Sequence, residues 1–392
     1  MDDLFIEIGY DSSCKWGQRV SGDTFLSKRI KEEGRIVAVL SDGLGSGIKA
    51  SVLSTLTATM ALKYMENHMD IEKAASVIMK TLPVCKERRI SYATFTLIDI
   101  TSDHIVNVVE YDNPALLFFN GSTFLPIEKN EVKIASRNRH GAKIYLSRIE
   151  ISYGDRLIFH TDGLNQSGMG KIATPLGWGV SGVKNYIQEL VKKEQLISAR
   201  TMAKKLIDRA LINDGQRSGD DTTCGVIYFK KPRALLIVTG PPVEQQNDTE
   251  LAQSFRSFNG TKVICGGTTA KIIARELNKK VLVDLRHLHP EIPPVSIMEG
   301  ADLVTEGIIT MTRALEYLES QQLPANSGSN AALQLANVFL DTDEINFIVG
   351  TKLNDANQVI NYKSMEIRHT IVRKLATILE SRYLKKVSIK FI

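Results

Sequence analysis

The chain has only four cysteines, Cys14, Cys85, Cys224 and Cys265, and no two form a C-x-x-C pair. That removes a zinc framework and fits a reducing compartment. No apolar run approaches the ~20 residues needed to span a bilayer, and the Met1-Asp2-Asp3 start lacks the cationic region of a signal peptide. The expectation is a cytoplasmic protein with no membrane partner. Charge of one sign is not in excess either: 49 Lys and Arg stand against 44 Asp and Glu, split 30 to 27 up to Lys230 and 19 to 17 beyond it. Neither half has the basic excess of a nucleic-acid binder. No internal repeat is evident, and Pro324 to Ser329 is the only loop of linker-like composition.

Phosphate-loop signatures are also missing. In Asp42-Gly43-Leu44-Gly45-Ser46-Gly47-Ile48-Lys49-Ala50-Ser51, Ile48 and Ala50 break the Gly-Lys-Ser sequence of a Walker loop. The glycine spacing is wrong for a dinucleotide loop, and Asp42 would set negative charge where a pyrophosphate lies. What the stretch does have is a carboxylate between the apolar run Arg35–Leu40, which reads as a strand, and Ile48–Met65, whose apolar residues, Val52, Leu53, Leu56, Met60, Leu62 and Met65, recur at helical spacing.

Two more aspartates sit on small-residue turns. Asp162 follows the strand-like Arg156–Phe159, and Asp220 precedes the strand-like Cys224–Phe229. A single Asp-Gly is ordinarily just a turn. Several carboxylates converging on one cleft would repel one another, and a hard divalent cation that prefers oxygen ligands resolves that conflict.

The elements Ser21-Gly22-Asp23-Thr24, Ser41-Asp42-Gly43-Leu44-Gly45-Ser46-Gly47, Thr161-Asp162-Gly163 and Asp220-Asp221-Thr222-Thr223 occur in that order. Through them residues 1–231 resemble the SpoIIE-like branch of the metal-dependent protein phosphatase 2C superfamily. The resemblance implies an α+β fold, an α-β-β-α sandwich with two Mn2+ or Mg2+ ions at one end. It implies that Asp42 bridges both metals, that the Gly43 carbonyl binds one, and that Asp162 and Asp220 bind the other. Asp23 would reach the centre directly or through water. Asp221 is the alternative to Asp220 if the last motif is shifted by one residue. Two departures stand out: Gly22 replaces the acidic residue that often precedes the first Asp, and Leu44 replaces the histidine that often follows Asp-Gly. His160 is then the nearest candidate acid for the leaving group, with a packed strand histidine as the other reading. Arg19 is a candidate phosphate donor or a surface arginine.

The implied activity is hydrolysis of phosphoserine or phosphothreonine in a protein, possible substrates including an anti-sigma-factor antagonist. A non-catalytic phosphoprotein-binding switch and a small-phosphoester hydrolase remain as alternatives.

A boundary is expected at Lys230-Lys231-Pro232-Arg233, where proline interrupts and a new apolar run begins. Residues 232–392 alternate strand and helix: Leu235–Val238, Thr249–Phe258, Lys262–Cys265, Thr268–Leu277, Val281–Leu285, a helix over Leu303–Leu318, then Ala331–Leu340 and Asn346–Val349. This predicts a C-terminal α/β domain with a regulatory or ligand-sensing role. Its turns at Gly240 and at Gly266-Gly267 are candidate sites for a small ligand, with Thr268 as a plain helix cap in the other reading; Glu299 and Glu306 add polar groups on a loop and a helix start, odd partners for a phosphate and suited instead to a hydroxyl or amine. His287 and His289 share a face if extended, but no clear third ligand makes them a metal site.

Overall fold

Six consecutive residues, Ile36 to Ser41, are wholly buried, as befits a strand covered on both faces. The computed structural model that shows this describes residues 4–30, 33–82, 93–133, 143–172, 174–284, 290–320, 330–352 and 358–392, with backbone alone over 358–364. Pro324 to Ser329, His287, His289 and Cys85 lie outside the described residues. The chain forms two units, Met1–Lys231 and Pro232–Ile392.

In the first unit the elements run β1 (Phe5–Ser13), β2 (Asp23–Ile30), β3 (Arg35–Gly43), α1 (Ile48–Glu66), α2 (Ile71–Thr81), β4 (Ala93–Ile100), β5 (Ile105–Tyr111), β6 (Leu117–Phe119), β7 (Phe124–Leu125), β8 (Asn130–Lys133), β9 (Lys143–Glu150), β10 (Arg156–His160), α3 (Asp162–Gln166), α4 (Gly179–Lys193), α5 (Ala199–Asn213) and β11 (Thr222–Lys230). They make two antiparallel sheets, ordered β1-β11-β10-β6-β7 and β2-β3-β4-β5-β9-β8. Alternation along the strands assigns each side chain to a layer. Val37, Val39, Phe95 and Leu97 pack under α1 and α2, while Ile158, Val226 and Tyr228 pack under α4 and α5. The alternate residues Ile36, Ala38, Leu40, Leu157, Phe159 and Ile227 are equally buried and fill the space between the sheets. The expected α-β-β-α sandwich is therefore the observed one.

Helix α1 forms where its apolar spacing predicts, yet it buries a different face. Ala50, Ser54, Thr57, Ala58, Ala61 and Met65 face the sheet, while Val52 and Leu56 are exposed. Small residues let α1 lie close to β2 and β3, and only there can Ala50 close on Gly43, where an added Cβ would collide with the Ala50 carbonyl.

Residues 232–392 run β12 (Ala234–Thr239), α6 (Asn247–Ser257), β13 (Thr261–Cys265), α7 (Gly267–Glu276), β14 (Val281–Val283), β15 (Ser296–Met298), β16 (Leu303–Thr305), α8 (Ile308–Ser320), α9 (Ala331–Asp341), β17 (Glu344–Val349), α10 (Gln358–Ser381) and β18 (Lys386–Phe391). The sheet order is β14-β15-β16-β13-β12-β17-β18, parallel from β16 to β18. α6 and α7 cover one face, and α8, α9 and α10 the other. This is the α/β architecture expected, with one correction: Leu303–Leu318 is not a single helix. Leu303, Val304 and Thr305 pair with Val263, Ile264 and Cys265 as β16, and the helix begins only after Gly307. Asp302 anchors that pairing by accepting from the Lys262 amide at 2.7 Å, so sheet pairing overrides the helical spacing. Among the described residues no helix is long and apolar enough to cross a membrane.

The sheets of the first unit are joined near one end by a column of rings. Tyr10 of β1 stacks on Phe25 of β2 at 4.4 Å, and Phe25 on Phe159 of β10 at 6.0 Å. Gly225 pairs with Phe159 across β10 and β11, and a Cβ there would lie 2.5 Å from the Phe159 ring. Gly225→Ala is expected to cost about 1–3 kcal/mol in urea unfolding, the scale of core overpacking. Pairing it with Phe159→Leu should recover part of that loss in a double-mutant cycle.

Candidate metal centre

The hairpin β2–β3 sets the first two carboxylates. Its register pairs Asp23 directly with Asp42, so both project from one face at the open end of the six-stranded sheet. The other sheet brings its own acids to the same place. Asp162 opens the short helix α3 just past β10, and Asp220 and Asp221 stand immediately before β11. β10 and β11 are paired up to His160–Cys224, which keeps those two ends together.

Contacts define the cluster. Asp23 is buried, and its Oδ2 accepts from Thr161 Oγ1 at 2.8 Å, while Oδ1 has no hydrogen-bond partner among the described residues. Asp221 is buried too; its Oδ1 accepts from the Lys15 amide at 3.0 Å and its Oδ2 likewise has no partner among them. A Cβ placed on Gly22 would lie 2.9 Å from that Oδ2 and 3.6 Å from the Gly43 carbonyl oxygen. Gly22 thus leaves a space that a carboxylate and a carbonyl share, and a side chain there would fill it. Asp162 accepts from Gln166 at 2.8 Å, and half-exposed Asp220 lies 3.7 Å from Lys15 Nζ.

The mutual repulsion is visible in the proton affinities. Burial, then the charges of Asp23, Asp162, Asp220 and Asp221, push the Asp42 carboxyl up to about 8. Burial raises Asp23 to about 7 against the opposing hydroxyls of Thr161 and Thr223, with Asp221 and Asp162 adding to the rise. Asp162 is raised by burial and then by Asp220. Asp23, Asp42 and Asp162 are thus each raised by burial and by the charge of neighbouring acids.

This donor set fits a hard divalent cation: it is all oxygen, it includes two buried carboxylate oxygens without partners, and it surrounds a space that only glycine keeps open. Among the described residues, however, no three ligating side chains stand in metal-binding geometry around one point. Asp23, Asp162, Asp220 and Asp221 are each turned to a protein partner instead, so closing them on an ion takes side-chain rotation.

Other expected participants fall differently. His160 is 1% exposed, its Nδ1 donates to the Thr161 carbonyl oxygen over 2.9 Å, and burial lowers it to about 4. It is a packed, neutral strand histidine rather than an acid for the leaving group. Arg19 is exposed on the loop before Ser21. Sequence reading missed Thr161, whose hydroxyl also accepts from the Thr223 amide at 2.9 Å and so ties β2, β10 and β11 together beside the acids. Its place next to Asp162 was the available signal. The Lys15 amide had none.

In the second unit Gly240 follows β12, and Gly266, not Thr268, is the N-cap of α7, with no side-chain cap. A cleft of about 570 Å³ is lined by Gly267, Lys271, Thr305 and Glu306 among others. Glu299 is exposed and engaged with Lys279 at 2.6 Å.

Because Asp23 and Asp42 hold protons in the folded state that an unfolded chain releases near pH 4, folded stability falls as pH rises from about 4 through 7 to 8. In chelator the melting temperature of the whole chain is expected to drop between pH 5 and pH 8. Asp42→Asn should flatten that slope, and Mn2+ should reverse it, both read by differential scanning calorimetry.

The family model described as Stage II sporulation protein E (SpoIIE) matches residues 32–230. No curated protein matches the sequence. Among solved structures, the chain is similar to the PP2C phosphatase domain with a regulatory fragment of SpoIIE from Bacillus subtilis, at 20% identity and TM-score 0.49, covering 59% of this chain and 65% of that one. It is also similar to the RsbU and RsbW domains of a Mycobacterium tuberculosis protein, at 14% identity and TM-score 0.48, covering 65% and 68%. The S. agalactiae serine/threonine phosphatase aligns at 14% identity and TM-score 0.40, over 57% and 99%. At such identities and scores the family assignment rests on the sequence model. That model takes in about half of the chain, which belongs to the SpoIIE family, a branch of the PP2C-type metal-dependent phosphatases.

Proposed function

We propose that the protein hydrolyses phosphoserine or phosphothreonine in a protein substrate, using two Mn2+ or Mg2+ ions held by Asp42, the Gly43 carbonyl, Asp162 and Asp220 or Asp221, with Asp23 alongside. The observation that carries this reading is the facing pair Asp23–Asp42 with buried, unpartnered oxygens on Asp23 and Asp221. A purely binding module has no use for such mutually repelling acids. When bound, a pair of such cations supplies hydroxide near neutral pH and neutralises phosphoryl oxygens.

The chain's own residues do the rest. Thr161 orients Asp23 by donating to Oδ2, which leaves Oδ1 free to turn inward. The Lys15 amide orients Asp221 in the same way. Lys15 Nζ, close to Asp220 and half-exposed, offers a positive group at the mouth for an incoming phosphate. His160 is closed off from the cleft, so the departing serine or threonine oxygen takes its proton from the solvent side.

The substrate follows from family likeness: a phosphoserine in a small anti-sigma-factor antagonist domain. The 232–392 unit, in this reading, is a separate regulatory domain whose strand-end turns around Gly240, Gly266 and Gly267 bind a small ligand and alter the rate. Such coupling requires different ligand affinities in the active and inactive states.

The test is metal-dependent phosphate release from p-nitrophenyl phosphate and from phosphopeptides. Asp42→Ala is expected to abolish turnover, and Asp162→Ala to cost ~100-fold or more, the scale on which misplaced catalytic groups are felt. Of Asp220→Ala and Asp221→Ala, the more damaging identifies the metal ligand of the last motif. Full turnover by Asp42→Ala in chelator sinks the assignment, while hydrolysis of the small ester with no phosphopeptide processed favours a small-phosphoester hydrolase. Residues 1–231 made alone are expected to be soluble, to bind Mn2+ and to turn over at a rate different from that of the whole chain.

A further inference from the structure

The parallel strands of the second unit all end on one line. Thr305 of β16 pairs with Cys265 of β13, Cys265 with Thr239 of β12, and Thr239 with Val349 of β17. In chain order these strands stand 3-2-1-4-5, so the direction of winding reverses between β12 and β17. Sheets of this kind hold ligands in the crevice at the carboxyl ends of the strands flanking that reversal. Here the two flanking strands are followed by Gly240 and Gly350.

Both glycines are demanded by close approach. Gly240 has φ +82°, and a Cβ on it would lie 2.7 Å from Arg368 Nη1 and from the Gly350 carbonyl oxygen. A Cβ on Gly350 would collide with the backbone of Gly240 and Pro241. The result is a bare backbone floor with the guanidinium of Arg368, from α10, laid against it. Among the described residues Arg368 has a single long hydrogen bond there, Nη1 to Gly350 O at 3.5 Å. Burial lowers its proton affinity, and Glu306 is the one acid that opposes the shift. Glu306 is itself occupied in part, its Oε2 accepting from the Ile309 amide at 3.0 Å.

A second observation points the same way. Thr239 Oγ1, at the last position of β12, is 0% exposed and has no hydrogen-bond partner among the described residues. By alternation it lies on the face of Leu235 and Ile237, the face that α10 covers and from which Arg368 descends. One strand over, ~4.8 Å away, α7 starts at Gly266 with its first-turn amides uncapped by any side chain. Beyond it opens the cleft lined by Gly267, Lys271, Thr305 and Glu306.

We propose that this edge, Arg368 over the Gly240–Gly350 floor with Thr239 beneath and the start of α7 beside it, is a binding site for a phosphoryl group, with the adjoining cleft taking the rest of a small phosphorylated metabolite. An arginine fork supplies paired donors to phosphate oxygens, and free helix N-terminal amides add further ones. The site deepens the ligand-sensing role proposed above, and its binding is measurable without it.

The test is calorimetric titration of the whole chain in chelator with AMP, glucose 6-phosphate and inorganic phosphate, and with adenosine as the uncharged control. At least one phosphate-bearing probe is expected to bind. Arg368→Gln should weaken it tenfold or more, Thr239→Val several-fold, and Asp42→Ala not at all. Tighter binding of an ester than of inorganic phosphate assigns a metabolite; equal affinity assigns free phosphate. The site is overturned if no phosphate probe binds at millimolar concentration, if adenosine binds as well as AMP, or if Thr239→Val and a folded Arg368→Gln both bind like the parent. Loss of binding in Asp42→Ala likewise overturns it by moving the phosphate to the other unit. Binding that leaves the phosphatase rate unchanged supports the site and removes only the sensing role.

Discussion

Two like charges face each other across a β-hairpin, and the first unit is organised around making that tolerable. Asp23 and Asp42 are directly paired, an arrangement that costs stability in an ordinary sheet. A slip of β2 by one residue would turn Asp23 to the opposite face and carry every apolar side chain of β2 with it. The register is held because Phe25, two residues from Asp23, is locked into the ring column between the sheets, and because Asp23 itself is tied to Thr161 of the other sheet. The packing that joins the sheets and the geometry of the acids are one constraint.

The same constraint explains the small residues around it. α1 must come close enough for Ala50 to meet Gly43, and its inward face of alanine, serine and threonine allows that. Gly22 must carry no side chain, or the space beside Asp221 and the Gly43 carbonyl closes. Bulk is moved outward, so Ile48, Val52 and Leu56 are left exposed on α1.

The second unit uses strand ends in another way. Among the described residues several of its acids and cations stand in ion pairs such as Arg275–Asp248 and Lys279–Glu299. Its strand ends carry, in contrast to the first unit, a guanidinium over bare backbone and a buried hydroxyl without a partner. One unit concentrates negative charge at its sheet mouths, and the other presents donors.

Local chemistry was enough for the sequence to determine the strand–carboxylate–helix arrangement at Asp42 and the alternating α/β character after Pro232, which follow from residue spacing over a few positions. The four ordered motifs carried the resemblance to the family, and the α-β-β-α layers came with that resemblance. Tertiary structure alone decided that Leu303–Thr305 is a strand, because its pairing with β13 outweighs helical spacing that is locally satisfactory. It decided that His160 is neutral and sealed, because burial depends on the sheet packed over it rather than on its neighbours in sequence. It also decided the facing of Asp23 with Asp42, the role of Thr161 and the descent of Arg368 onto Gly240. These are contacts between residues 19 to 138 positions apart, and spacing along a chain carries no information about separations of that length until the sheets have closed.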